Sequence, residues 1–412
     1  MRVWAFPSFY PYPYPGMHHG GIFAHRQYKG LITHGAEVRV VVPVLWSPPA
    51  PFFNLTASWK EDAKYGFPME REYDGIKVYH PRISNMKPGR IFKKAYSERY
   101  IEAILGFFKK NKIKLDPAED IFYSQWLPDA GLVQVAAHQL GVKSAVMGIG
   151  DDVLIIPHKN KASFDFIDKT ISEADIRLAV AQYLADAANA LFRKKLPFHI
   201  VKRGVNYEFF KPVDDKAKEQ LKAKLNLPKD KTIILSVGSP IVAKGWIELL
   251  DALKEIKKRN DQFVLLAICA GFSNLDIKQE ATKRGLQDNY IQVNDVAPDE
   301  MNEYYNAADI FCLPSHTEGI ANAVAEAMAC GLPVITTSVG GHPELITNYE
   351  NGILVEPKNA SVLFEKLQEL ISGQGLRIKL GANARNHIVT NWGSFAENSR
   401  KLYDILKNGL VH

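Results

Sequence analysis

The sequence predicts an α/β protein made of two Rossmann-like doubly wound sheets, and three observations carry that reading. Apolar strand-like runs alternate with helical stretches along the whole chain. At 412 residues the chain exceeds one ordinary hydrophobic core, so two domains of about 200 residues each are expected. The order of strand, loop, helix and strand also starts afresh after "RGVNYEFFKP", with the join near residues 198 to 212.

In the first half, "RVWAF" leads through a proline-rich loop into the helical "GGIFAHRQYKGLITHG" and then the strand "EVRVVVPV". "DIFYSQW", a helix through "AGLVQVAAHQLG", and "SAVMGIGDDV" continue the pattern. The second half runs "TIILSVGS", a helix from about Gly245, "FVLLAICAG" and "YIQVND". "AADIFCLP" follows, where the apolar run Ile310 to Leu313 and a proline stop mark a short buried strand. "GIANAVAEAMAC" is alanine-rich and ends at Gly331 with Pro333 just beyond, which marks a helix with a glycine cap. "PVITTS" returns to strand. Ligands of such sheets sit beyond the carboxyl ends of the strands, and two facing sheets make a cleft.

Those strand ends hold the residues with chemistry to offer. Gly20 and Gly21 follow the first strand and let backbone approach a phosphate or an acceptor, or simply make a turn. Asp151 and Asp152 in "GIGDD" can bind a substrate hydroxyl or cap a helix. Lys244 in "VGSPIVAKG" can reach a diphosphate as a point charge or lie on the surface. Glu318 precedes the alanine-rich helix and Glu326 lies a turn or more inside it, a separation on the order of 10 Å. Between them the helix N-terminus presents unpaired amides, and Gly319 permits a ligand close to the backbone. A carboxylate, an anion nest and a second carboxylate over that length suit hexose, diphosphate and ribose, which together are a nucleotide sugar. Taken alone, the two glutamates would equally complement a helix dipole and lie in solvent.

Composition bounds the alternatives. The 46% hydrophobic and 23% charged residues describe a soluble globular protein. The longest apolar stretches, such as "VRVVVPVLW", are too short to span a bilayer, and the proline-broken start has no signal-peptide core. A cytoplasmic protein is therefore expected. Cys269, Cys312 and Cys330 have no paired spacing, which argues against disulfides and a zinc site. The excess of 51 Lys and Arg over 45 Asp and Glu is mild and gives no reason to expect a nucleic-acid partner. It is concentrated in residues 87–114, where nine basic residues are interleaved with aromatic and aliphatic ones against Glu98 and Glu102. A helix of that kind can lie on an anionic membrane, here the inner face, or hold an anionic acceptor; a solvated helix face is the plainer alternative.

At this point the chain resembles a retaining glycosyltransferase of the GT-B fold, family 4 (glycosyl transferases group 1). "EGIANAVAE" matches the family's Glu-x7-Glu motif, followed by the typical "AMACGLPVITTSVGGHPELI" and "NGILVEP". "RGVNYEFFKP" matches the hinge phrase; "YYNAADIFCLPS", "AKGWIELLDAL" and "GGIFAHRQYKGLITHGAEVRVVVP" fit as well. "WLPDAGLVQVAAHQLGVKSAVMGIGDDV" fits more loosely.

The resemblance implies an acceptor-binding domain over 1–200, a nucleotide-sugar domain over 201–385, and a last helix over 386–412 that crosses back, with Trp392 packed at the crossing. The active site would lie in the cleft. Glu318 would contact the donor sugar hydroxyls, Glu326 the ribose, and Lys244 the departing diphosphate. Backbone amides of Ile320, Ala321 and Asn322 would contact sugar and phosphates. Asp152 is the acceptor-side candidate. Ser239 stands where the family usually has an arginine gripping the diphosphate, and Ile149 where many relatives have a histidine; His316 or Arg203 are candidates to replace them. The implied activity moves a hexose from a nucleoside diphosphate sugar, UDP- or GDP-linked, to a carbohydrate or lipid-linked acceptor. Neither cofactor nor metal is expected, and no Asp-x-Asp motif argues otherwise. The alternative is a degenerate protein of this fold that binds a nucleotide sugar or glycan without transfer. A dinucleotide-dependent oxidoreductase fares worse, because no GxGxxG follows a strand.

Overall fold

The computed structural model describes residues 1–11, 21–46, 68–84, 95–271 and 273–411. The chain divides into two units. The first comprises residues 1–180, 184–201 and the C-terminal segment from Ser399; the second comprises 181–183 and 202–398. The residues just before Ser399 belong to the second unit.

Among the described residues the first unit has ten strands: β1 Arg2–Phe6, β2 Glu37–Val41, β3 Val44–Trp46, β4 Glu70–Tyr73, β5 Ile76–Tyr79, β6 Arg82–Ser84, β7 Asp120–Gln125, β8 Lys143–Gly148, β9 Ile176–Ala179 and β10 His199–Ile200. Eight form one sheet in the order β10-β9-β8-β7-β1-β2-β5-β4, and β3 pairs with β6. All neighbours in the large sheet run parallel except the β4–β5 hairpin at its edge. The charge of Asp120 is wholly buried at the start of β7. There it accepts from Arg2 (2.6 Å) and from the Trp4 indole (2.9 Å), so it ties β7 to β1 at the sheet's centre.

The helix expected to carry the basic segment spans Tyr96–Lys110. Its apolar side, Tyr100, Ile104, Phe107 and Phe108, is buried in the core with Trp4, Phe6 and Phe122. The apolar face of this helix is thus taken up by packing; residues 87–94 of the basic segment lie outside the described residues. No described helix is long and apolar enough to cross a membrane. From Ser399 the C-terminal helix Phe395–Val411 belongs to the first unit, where Ser399 Oγ reaches Gln27 O (3.4 Å) and Lys143 Nζ donates to Gly409 O (2.8 Å).

Among the described residues the second unit holds six parallel strands: β11 Thr232–Gly238, β12 Phe263–Cys269, β13 Tyr290–Asn294, β14 Ile310–Leu313, β15 Val334–Thr337 and β16 Ile353–Val355. Their order is β13-β12-β11-β14-β15-β16. Every residue of β12, β14 and β15 is buried, the mark of strands covered on both faces by helices. Asp309 clamps the entry to β14 with Lys218 (2.7 Å), Lys222 (2.9 Å) and the Ile233 amide (2.8 Å). Trp392, expected at the crossing, is instead core of this unit, packed with Val205, Phe210 and Ile388 under the Lys202 ammonium at 4.3 Å. The strand order reverses between β11 and β14, where ligands of doubly wound sheets gather.

Candidate active site

The loops leaving β11 and β14 bring the expected donor residues of the second unit together. After β11, Ser239 gives its carbonyl to the Trp246 indole (2.9 Å), and a single helical turn, Val242–Lys244, presents Lys244. Gly245 ends that turn at φ +72°, and a Cβ there would lie 1.9 Å from Pro314 O, so the β11 loop sits directly on the β14 loop. Lys244 Nζ consequently reaches Glu318 Oε1 at 2.5 Å. Ser315 Oγ donates to the same oxygen at 2.9 Å. Both members of the pair are mostly shielded, with side chains 24% and 11% exposed, so the ammonium and carboxylate interact more strongly than a surface pair would.

The backbone beyond Glu318 is held from the β15 side. Gly341 N–H donates to Gly319 O (2.7 Å), and a Cβ on Gly340 would meet Glu318 O at 1.7 Å. Helix Asn322–Ala329 then begins with Ala321 as its N-cap and no side chain capping it. Of its first-turn amides, Val324 N–H donates to Ala321 O (3.1 Å). Glu326 lies one turn inside, 9% exposed, and accepts from the buried Tyr305 hydroxyl at 2.9 Å. His342, at the start of the short helix His342–Leu345, is wholly buried, and burial pulls its pKa below the usual imidazole value while the Glu318 charge opposes. A cavity of about 590 Å³ opens at the ends of β11, β12 and β13, lined among others by Pro240, Cys269, Gly271, Asp276 and Asn294.

His316, a candidate to replace the missing arginine, is engaged differently: its Nε2 lies 2.9 Å from Glu248 Oε1, bracing the β14 loop against helix Trp246–Lys257. Arg203 lies in the segment that enters the second unit. Sequence reasoning missed Tyr305 and Ser315. Ser315 carried a signal, three residues before Glu318 in the same loop. Tyr305 carried none, since it comes from the helix Met301–Ala307 and meets Glu326 only through the fold.

In the first unit, Gly21 immediately precedes helix Ile22–Thr33, while Gly20 lies outside the described residues. Asp152 lies in the turn after β8. It is wholly buried, and its two oxygens accept the amides of Leu127 (3.1 Å), Ile149 (3.0 Å) and Gly150 (2.7 Å). Burial raises its pKa, with those amides pulling the other way. A carboxylate so used braces the backbone of the turn after β8, as the capping alternative expects. Ile149 supplies only its amide to that brace.

Comparison with known proteins decides the kind of domain this is. The family described as glycosyl transferases group 1 matches residues 217–387. The second unit is a group 1 glycosyltransferase domain. The chain is 26% identical over 349 residues to the protein named as the teichuronic acid biosynthesis glycosyltransferase TuaC of Bacillus subtilis, covering 84% of each chain. It is 25% identical over 225 residues to a GDP-mannose-dependent alpha-(1-6)-phosphatidylinositol monomannoside mannosyltransferase of Mycobacterium tuberculosis, covering 53% of this chain and 58% of that one. Apart from TuaC, the chain spans between 50% and 62% of the length of the curated relatives it matches. Among solved structures, sucrose-phosphate synthase from Thermosynechococcus elongatus superposes with a TM-score of 0.76 at 20% identity, over 98% of this chain and 99% of that one. Anabaena HepE in complex with UDP-glucose gives 0.74 at 16% identity, over 99% and 100%. The group 1 domain and its N-terminal partner thus have the GT-B fold.

Proposed function

We propose that the chain is a retaining hexosyltransferase that moves a sugar from a UDP- or GDP-sugar to a carbohydrate or lipid-linked acceptor in glycan biosynthesis. The observation that carries this reading is the Lys244–Glu318 pair at the β11/β14 reversal, beside an uncapped helix N-terminus. Donor binding exchanges the pair's partners. Lys244 turns to the diphosphate, Glu318 to the sugar hydroxyls, and the amides of Ile320 to Asn322 take the phosphate oxygens. Glu326, held by Tyr305, takes the ribose hydroxyls, and the cavity at β11–β13 has room for the base. Supporting the choice of donor class, HepE was solved with UDP-glucose and the mycobacterial relative is named for GDP-mannose.

As the sugar C1–oxygen bond breaks, positive charge builds on the sugar and negative charge on the departing diphosphate. Lys244 and the helix amides stabilise the diphosphate charge, and the Glu318 carboxylate orients the sugar and favours its positive charge. The acceptor hydroxyl adds on the same face, and its proton passes to the leaving phosphate oxygen. This leaves no catalytic duty for Asp152, and metal independence is part of the proposal. Thermal shift with UDP-, GDP- and ADP-sugars, with and without chelator, tests it. One donor should raise the melting temperature and release its nucleotide slowly in both conditions; no response to any of them would favour a degenerate fold.

A further inference from the structure

The imidazole of His342 is wholly buried beyond the carboxyl end of β15, and its hydrogen bonds settle where its proton sits. Nδ1 lies 3.0 Å from Thr337 O and 3.1 Å from Thr336 Oγ1. A carbonyl can only accept, and the single proton of the Thr336 hydroxyl is given to Leu313 O (2.7 Å). Nδ1 therefore carries the ring proton and serves both oxygens. Nε2 is left as a bare lone pair, enclosed by protein and without a hydrogen-bond partner among the described residues. An acceptor in that state lowers stability, so its retention in the interior calls for a use.

The network around the ring leads to Glu318. Thr337, whose carbonyl is held by His342, donates its hydroxyl to Ser315 O (2.5 Å), and Ser315 Oγ donates to Glu318 Oε1 (2.9 Å). Thr336, Thr337 and Ser315 are all buried. From the other side, the turn that carries His342 presses on the Glu318 loop: Gly341 N–H donates to Gly319 O (2.7 Å), and a Cβ on Gly341 would lie 2.4 Å from Ile320 Cγ1. Two charges act on the ring, Glu318 from the β14 loop and Lys244 from the β11 loop. Burial, the largest influence, and Lys244 keep the imidazole neutral, while Glu318 and the Thr337 carbonyl oppose them. A neutral ring has no donor to offer Glu318, so the carboxylate stays with Lys244 and Ser315. A proton on Nε2 would create a buried charged donor, and Glu318 is the carboxylate that would answer it.

We infer that His342 is a positioning residue for Glu318: its Nδ1–H fixes the path through Thr337 and Ser315, and its bare Nε2 leaves the carboxylate free for the sugar of a donor. That Glu318 meets a sugar rests on the transfer reading above; the path from His342 to Glu318 does not. Isothermal titration of the full chain with UDP-glucose, GDP-mannose, UDP and GDP tests it. At pH 7.5, His342→Leu should weaken the bound sugar nucleotide about fivefold or more and leave its nucleoside diphosphate within about twofold, because Glu318 reads only the sugar. His342→Asn, whose amide still donates to Thr337 O but cannot gain a proton, should recover most of that affinity. Between pH 7.5 and pH 5 the native chain should lose affinity for the sugar nucleotide about threefold or more, and the asparagine variant distinctly less. Native-like binding in His342→Leu would overturn the inference, and equal losses for sugar nucleotide and nucleoside diphosphate would reduce His342 to general packing. Identical pH responses in the native chain and His342→Asn would overturn it too, and that comparison decides alone if the leucine variant does not fold. So would nitrogen-15 NMR that placed the ring proton on Nε2. Failure of both sugar nucleotides to bind the native chain would overturn the donor reading and this inference with it, whereas native binding that the variants leave untouched would overturn the inference alone.

Discussion

At the scale of single residues, the site is prepared by partners that sequence spacing did not reveal. The Tyr305 hydroxyl fixes one oxygen of Glu326, and a hydrogen bond to a charged group contributes about 1.5–3 kcal/mol. Tyr305→Phe keeps the buried ring and removes only that bond. The expected result is a rise of about tenfold in KM for the donor with kcat nearly unchanged, the pattern of a lost binding contact; a fall in kcat at constant KM would instead give Tyr305 a role in the reaction step. Asp152 teaches the opposite lesson. Its place at the end of β8 matched a substrate-binding aspartate equally well as a cap, and the sequence could not show the three backbone amides that it accepts. One-dimensional sequence gives the position of a carboxylate along the chain, while its duty depends on which donors the fold brings to it.

At the scale of elements, the turn carrying Glu318 is shaped by glycine against glycine. Gly340 at φ +57° presses its α-carbon on Glu318 O. Gly340→Ala adds both a backbone penalty and a clash, so it should cost about 2 kcal/mol or more and remove the thermal response to donor; an unshifted melting temperature with an intact response would show the turn to be tolerant. The edge hairpin β4–β5 offers a pH test. Arg71 Nε donates to His80 Nε2 (3.1 Å), so the ring proton resides on Nδ1, facing Val42 O at 3.2 Å. Burial first, and the Arg71 cation second, depress the His80 pKa to about 4. Because the folded value lies below the unfolded one, the unfolded chain takes up the proton first, and stability falls as pH drops from about 6.5 to about 4. The loss approaches about 3 kcal/mol. Denaturation of the native chain and of His80→Gln at pH 7 and pH 4.5 should show this component vanish in the variant; parallel pH slopes would contradict it.

At the scale of the whole molecule, much was legible because the signals were long and redundant. Buried runs such as "FVLLAIC", the restart after "RGVNYEFFKP" and the glycine stop at Gly331 each encode a local element that the fold then keeps. The amphipathic helix Tyr96–Lys110 was legible as a helix, but its partner was not, since an apolar stripe looks the same whether a sheet or a membrane covers it. The packing of Trp392 was hidden for a similar reason: it is an ordinary buried aromatic, and nothing local says which core receives it. The central claim is that Lys244 and Glu318 act on the bond between sugar and diphosphate. Its most direct measurement is the rate of nucleoside diphosphate release at saturating donor in the native chain, Lys244→Ala and Glu318→Gln. Each substitution should lower that rate about 100-fold or more while circular dichroism shows the fold retained; near-normal release in either variant would contradict the site.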